Sequence, residues 1–184
     1  MSICSEQNRL TLVTGGSGSG KSAFAEQLAA DAPGNKKIYL ATMQCWDEES
    51  RQRVARHRAM RAQRHFVTVE RPMDLLGLAL PPCDVVLLEC LSNLAANEMF
   101  SPEGAGKGTE GAILQGITHV RQQCKQFIIV TNEIFSDGVQ YDLETEQYLD
   151  LLGRLNRQLA AQAEQVFEVV CGIPIPWKQK GEQP

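Results

Sequence analysis

The sequence contains no Cys-x-x-Cys pair, no internal repeat and no uninterrupted apolar run near the ~18 residues that span a bilayer. The six cysteines, Cys4, Cys45, Cys83, Cys90, Cys124 and Cys171, are scattered and mostly sit in apolar surroundings. That excludes a zinc ribbon or a disulfide frame, and it predicts reduced core thiols and a cytoplasmic home. The first nine residues, M-S-I-C-S-E-Q-N-R, lack the apolar centre of a secretory signal. Positive charge is not in excess either: the formal net charge is −4, which gives no general attraction for nucleic acid or an anionic membrane, although a local basic patch can still bind phosphate. What remains is a chain of 184 residues, 43% apolar and 22% charged, the size and mixture of one globular domain spanning residues 1–184.

Periodicity divides that chain into alternating strands and helices. Leu10 to Thr14 reads as a short buried strand, and Ser22 to Ala30 as a helix with Phe24, Ala25 and Leu28 on one face. Further strands are predicted at Lys37–Thr42, Phe66–Glu70, Asp84–Cys90, Phe127–Asn132 and Val166–Val170. Two of them, D-V-V-L-L-E-C and F-I-I-V-T-N, are continuous apolar runs of the kind a parallel sheet buries on both faces. Helices are predicted over about 48–64, Leu91–Phe100, Ala112–Lys125 and Thr145–Ala163. The alternation predicts an α/β fold, a mainly parallel sheet flanked by helices. The glycine-rich stretch Ser101–Gly111 has little to bury and reads as a mobile loop, and the polar tail beyond Trp177 as frayed.

The chemistry is concentrated in V-T-G-G-S-G-S-G-K-S-A-F, Val13 to Phe24. Gly15, Gly16, Ser17, Gly18, Ser19, Gly20, Lys21 and Ser22 match G-x-x-x-x-G-K-S, placed between a strand and a helix as a phosphate loop requires. Glycines let successive N–H groups turn inward, and the helix N-terminus adds partial positive charge. Lys21 can reach β and γ phosphates, and Ser22 can ligate Mg²⁺. A flexible glycine-serine turn explains neither the Lys-Ser pair nor the flanking elements, and no G-x-G-x-x-G can be placed here. Such loops work with a carboxylate at the end of a buried strand. Glu89, closing V-V-L-L-E, stands at the ligand edge of its strand, whereas Asp84 begins the same strand at the far edge. Glu133, after I-I-V-T-N, is a second candidate; a solvated strand-end glutamate is the plain alternative for either.

Six of the eleven arginines fall in the predicted helix from Asp47 to Arg64, and spacing by four sets Arg53, His57 and Arg61 along one face. Cations around an imidazole suit phosphate binding and keep the ring neutral, as a nitrogen nucleophile requires. A solvated basic helix paired with its acidic neighbours fits the same pattern.

Together these motifs resemble the family of bifunctional adenosylcobinamide kinases and adenosylcobinamide-phosphate guanylyltransferases of cobalamin biosynthesis. The resemblance rests on T-G-G-S-G-S-G-K-S, Y-L-A-T at Tyr39–Thr42, R-V-A-R-H-R-A-M-R at Arg53–Arg61, L-L-E-C at Leu87–Cys90, V-T-N-E at Val130–Glu133 and G-R-L-N-R-Q-L-A from Gly153. It implies a RecA-like P-loop NTPase fold, often a homotrimer, with ATP and GTP as substrates alongside a corrinoid. It also implies His57 as the guanylylated histidine, Lys21 as a catalytic residue, Ser22 and Glu89 at the metal, and Ala41, Thr42, Met43, Arg58, Ala59, Met60, Arg61, Glu70 and Glu89 lining the nucleotide site. The chain departs from better-known members at Arg56, where they often carry a second histidine, and at I-F-S-D-G-V-Q-Y, where they carry a glycine-rich stretch. The region Asp142–Leu152 also lacks their arginine-rich character. Two other readings stay open on residues alone: an ordinary small-molecule phosphate-loop kinase, and a nucleotide-gated module whose basic helix meets RNA. That helix has no interleaved aromatics on which bases would stack.

Overall fold

A computed structural model of the protein describes residues 8–44, 66–135, 138, 139 and 141–179. The predicted arginine-rich helix, with His57 and Arg58 to Arg61, lies outside the described residues. Seven strands form one sheet: β1 Arg9–Thr14, β2 Lys37–Ala41, β3 Phe66–Glu70, β4 Val85–Glu89, β5 Gln126–Val130, β6 Gln165–Val170 and β7 Ile173–Gln179. Their order across the sheet is β3-β2-β4-β5-β1-β6-β7. All pair in parallel except β7, which folds back antiparallel on β6.

Alternation along the strands feeds two separate cores. Leu10, Leu12, Val86, Leu88, Phe127 and Ile129 face one side. There they meet helices α2 (Leu91–Phe100), α3 (Thr109–Arg121) and α4 (Leu143–Gln162). Val13, Val85, Leu87, Ile128 and Val130 face the other, against Ala25 and Ala29 of α1 (Lys21–Asp31), with Phe24 and Leu28 packed beside them. The Phe24 ring meets Phe167 of β6 edge-on at 5.2 Å.

Element ends show where local chemistry decides. Helix α4 starts two residues before the predicted Thr145, because the Asp142 carboxylate caps it by accepting from the Thr145 N–H at 2.8 Å. Asp84 lies outside β4 at the opposite end from Glu89. There its carboxylate accepts from Lys125 Nζ at 2.8 Å and from the Asn35 and Lys36 N–H groups, and the Lys125 bond in particular holds its pKa below the usual carboxylate range.

The glycine-rich stretch read as mobile is tied down. Glu98, buried on α2, accepts from the Asp74 N–H at 2.7 Å and the Ala105 N–H at 3.0 Å. A 3-10 turn at Gly106–Gly108 then leads straight into α3. Lys178 and Gln179 belong to β7, which pairs with β6 despite Pro174 and Pro176, residues an edge strand tolerates; the rest of the predicted tail lies outside the described residues. The thiols also differ from expectation at one point. Cys90 and Cys124 are buried, whereas Cys171 is exposed on the β6–β7 turn.

Gly116 on α3 lets a second 3-10 turn, Leu75–Gly77, approach closely; an added Cβ would stand 2.6 Å from Leu75 Cβ. Helix propensity favours alanine by about 1 kcal/mol, but overpacking costs typically ~1–3 kcal/mol. Gly116→Ala is therefore expected to lower the urea midpoint at unchanged slope. A raised midpoint would show that propensity wins and the turn yields.

Candidate active site

The site forms where the parallel strands end. In register, Glu70 of β3 stands opposite Ala41 of β2, Ala41 opposite Glu89 of β4, Glu89 opposite Val130 of β5, and Val130 opposite Val13 of β1. One residue after Val13 the chain leaves β1 and turns through Gly15–Gly20 into α1.

Backbone contacts hold this turn in shape. Gly18 and Gly20 have φ of +70° and +91°, the left-handed region glycine enters without penalty. The Gly15 carbonyl accepts from the Glu133 N–H at 3.0 Å and the Ser19 carbonyl from the Gly172 N–H at 2.8 Å. The segment after β5 therefore braces one end of the loop and the β6–β7 turn the other. Contacts are close enough that a Cβ on Gly15 would sit 2.6 Å from the Val169 carbonyl oxygen, and one on Gly20 3.2 Å from Gly172 Cα.

Helix α1 opens without a side-chain cap and without an acidic residue in its first turn. Its leading N–H groups and positive dipole end face the loop, an arrangement that binds anions. Lys21 is not the exposed loop lysine its position suggests. It is buried, and Nζ donates to the Gly16 carbonyl at 3.0 Å, which holds the ammonium across the loop. The Ser22 hydroxyl donates to Glu89 Oε1, joining the start of α1 to the end of β4. The buried Ser19 Oγ finds no hydrogen-bond partner among the described residues.

The other predicted residues divide. Ala41, Thr42 and Met43 run beside the end of β4. The Thr42 N–H donates to the Glu89 carbonyl at 3.1 Å, its hydroxyl to the Cys90 carbonyl at 2.8 Å, and its carbonyl accepts from Asn97 Nδ2 at 2.7 Å. Thr42 is thus spent on the scaffold. Glu70 is exposed at the end of β3, two strands away from Glu89. Glu133 reaches the loop through its backbone, and its carboxylate accepts from the Phe135 N–H at 3.1 Å.

A polar cluster between β4 and β5 escapes sequence reasoning. Asn132 Nδ2 donates to Ser92 Oγ at 2.6 Å, and that oxygen lies 3.0 Å from Cys90 Sγ. Tyr148 of α4 donates to the Ser92 carbonyl at 3.0 Å. Burial, with Cys90 adding to it, pushes the phenol up to about 12, so Tyr148 stays a donor throughout the neutral range. The available signal was V-T-N-E, in which the asparagine adjoins the residue that meets the loop. A separate cleft of about 500 Å³, lined by Phe100, Lys107, Glu110, Asp150 and Arg154 among others, lies between α2, α3 and α4 and includes no residue of the phosphate loop.

Fold and site together define a P-loop nucleotide-binding protein of the RecA-like type. A solved ATPase domain superposes with a TM-score of 0.53 over 96% of this chain and 78% of that one, at 12% identity, a likeness of fold alone. The sequence model of the family described as cobinamide kinase / cobinamide phosphate guanyltransferase matches residues 11–177, and the chain belongs to that family. It is 35% identical to the bifunctional adenosylcobalamin biosynthesis protein CobU of Escherichia coli K12 and 36% identical to the protein of that name from Salmonella typhimurium LT2. Each match covers 92% of this chain and 99% of the relative. The bifunctional adenosylcobalamin biosynthesis protein CobP of Pseudomonas aeruginosa PAO1 is 32% identical over 91% of this chain and 96% of its own.

Because the Val169 carbonyl is backbone and cannot step aside, Gly15→Ala must displace the phosphate loop. The expected result is a fall of about 10²-fold in nucleotide-dependent rate, with a melting temperature close to wild type. Unchanged rates would show that the loop tolerates the shift.

Proposed function

We propose that the chain phosphorylates adenosylcobinamide with ATP or GTP, then transfers GMP from GTP to adenosylcobinamide phosphate through a GMP-histidine intermediate on His57, yielding adenosylcobinamide-GDP. The observation that carries the reading is the Ser22–Glu89 contact beneath the uncapped start of α1, in a chain of this family. In the first reaction the loop N–H groups and Lys21 hold the phosphates, and the substrate hydroxyl attacks the γ-phosphorus in line. In the second, the neutral His57 imidazole attacks the α-phosphorus and pyrophosphate leaves; the GMP is then passed to the phosphate of the corrinoid. Arg58 and Arg61 accompany His57, and Ala41, Met43 and Glu70 border the nucleotide in this reading.

The Ser22 hydroxyl and Glu89 carboxylate are hard oxygen donors in contact with each other, a set that fits Mg²⁺ held by one or two protein oxygens with substrate phosphates completing the shell. When bound, the ion neutralises charge on the phosphates. No helix among the described residues is long and apolar enough to cross a membrane. A cytoplasmic location and a homotrimer without nucleic-acid partners complete the proposal, on the family resemblance and the acidic net charge of −4.

Glu89→Gln keeps volume and a hydrogen bond to Ser22 while removing the charge. It is expected to raise the half-saturating Mg²⁺ concentration about tenfold or more; an unchanged titration would move the metal role to Glu133. After incubation with α-labelled GTP, peptide mapping should find an acid-labile GMP on His57. His57→Ala should abolish guanylyl transfer yet spare phosphorylation of adenosylcobinamide. Label on another residue would overturn the histidine route, and γ-phosphoryl transfer without any adduct would mark the protein as a kinase alone.

A further inference from the structure

We propose that Asn132 is the residue that orients the acceptor hydroxyl during phosphoryl transfer, with Ser92 as its positioning residue. The inference rests on the kinase reading above. It begins from topology: β5 lies between β4, which ends in Glu89, and β1, which leads into the phosphate loop. The chain beyond Val130 must therefore leave the sheet between the Ser22–Glu89 pair and Gly15. Two backbone bonds keep it there, Thr131 N–H to the Val13 carbonyl at 2.9 Å and Glu133 N–H to the Gly15 carbonyl at 3.0 Å.

Contacts beyond the end of β5 separate the next two side chains. Ile129 belongs to the core under α2, α3 and α4, and Thr131 continues on that side, its hydroxyl donating to Asn156 of α4 at 2.8 Å. Val130 belongs to the core under α1. Asn132 lies past the end of β5 and is tied through Ser92 Oγ to Cys90, which packs in that same core beside α1. The side chain is half-buried and its amide orientation is set, because Nδ2 donates to Ser92 Oγ at 2.6 Å while Tyr148 fixes the Ser92 carbonyl at 3.0 Å. Oδ1 accepts no hydrogen bond among the described residues. An acceptor held between the Thr131 and Glu133 backbone bonds to Val13 and Gly15 stands beside the phosphate loop, where it repels phosphate oxygens; the group that suits it is a donor, and the donor each turnover brings is the substrate hydroxyl.

Held by Oδ1, the hydroxyl oxygen keeps its lone pair directed at the γ-phosphorus. The new P–O bond forms there, the bond from γ-phosphorus to the β–γ bridging oxygen breaks, and its electron pair leaves on the nucleoside diphosphate. An amide is not basic enough to retain the proton, which passes to solvent water.

The test uses the full chain with ATP, Mg²⁺ and adenosylcobinamide. Asn132→Ala is expected to lower kcat about 10²-fold, with KM for ATP within twofold of wild type and GMP-adduct formation from GTP unchanged, since that step uses no acceptor hydroxyl. Ser92→Ala should lower kcat less, and Ser92→Thr should restore part of the loss. Asn132→Asp separates contact from scaffolding and guards against misfolding, because Ser92 can donate to the carboxylate. In this variant kcat should gain an acid limb absent from wild type, falling as pH drops through the new carboxylate's pKa, because protonation turns one of its two acceptor oxygens into an O–H donor and weakens the other. Wild-type kcat in Asn132→Ala, a parallel loss of ATP affinity, or an Asn132→Asp profile identical to wild type would overturn the assignment. If wild type fails to phosphorylate adenosylcobinamide, it is the substrate reading that falls. ATP hydrolysis, with water as acceptor, then carries the same comparison of variants, and Lys21→Met reports whether the phosphate loop is engaged at all.

Discussion

Parallel pairing of β1 with β5 on one side and β6 on the other fixes where the phosphate loop leaves the sheet, and the rest of the site is arranged around that exit. Because the pairs are parallel, the ends of β4, β5 and β1 fall in one row. The carboxylate of Glu89, the polar residues after Val130 and the glycines after Thr14 then converge without any long side chain reaching for another. A parallel sheet concentrates functional groups at one edge in this way because every strand delivers its carboxyl end there.

Burial of the sheet on both faces makes the edge rigid enough to use. Leu87, Leu88, Ile128 and Ile129 are fully enclosed, so strand positions are set by dense packing while the residues just beyond them meet solvent or ligand. Thr42 and Ser92 at this boundary are satisfied by neighbours on the scaffold, the first by β4 and the second by Asn132, Cys90 and Tyr148. Each such bond converts a side chain that would otherwise sample several rotamers into a fixed wall of the site.

Much of this architecture is legible in the sequence, for physical reasons. Buried parallel strands must be apolar throughout, so D-V-V-L-L-E-C and F-I-I-V-T-N declare themselves. The phosphate loop does so too, because few other uses require glycine at those positions before Lys-Ser. What could not be read depends on contacts between distant segments. Glu98 ordering two loops, Gly172 meeting Gly20 and Lys21 folding onto Gly16 leave no periodic mark. Strand β7 was hidden for another reason: Pro174 and Pro176 argue against a strand unless it is known to be the last one in the sheet. The place of Asn132 in V-T-N-E carries no role by itself, because its position depends on β5 lying between β4 and β1.

The brace that the β6–β7 turn sets against the phosphate loop joins segments that lie far apart in the sequence. As the chain emerges from the ribosome, Gly15 to Ser22 appear well before β5 and β6, the two strands that flank β1. A nascent chain that has not yet reached Gln165 therefore carries Gly15 to Ser22 and none of the β6–β7 hairpin whose turn braces them. Long-range pairing of this kind delays assembly of a parallel sheet. It also means that the phosphate loop gains this brace only after Gly172 has been made, so shorter chains hold the loop's residues without the contact that supports its far end.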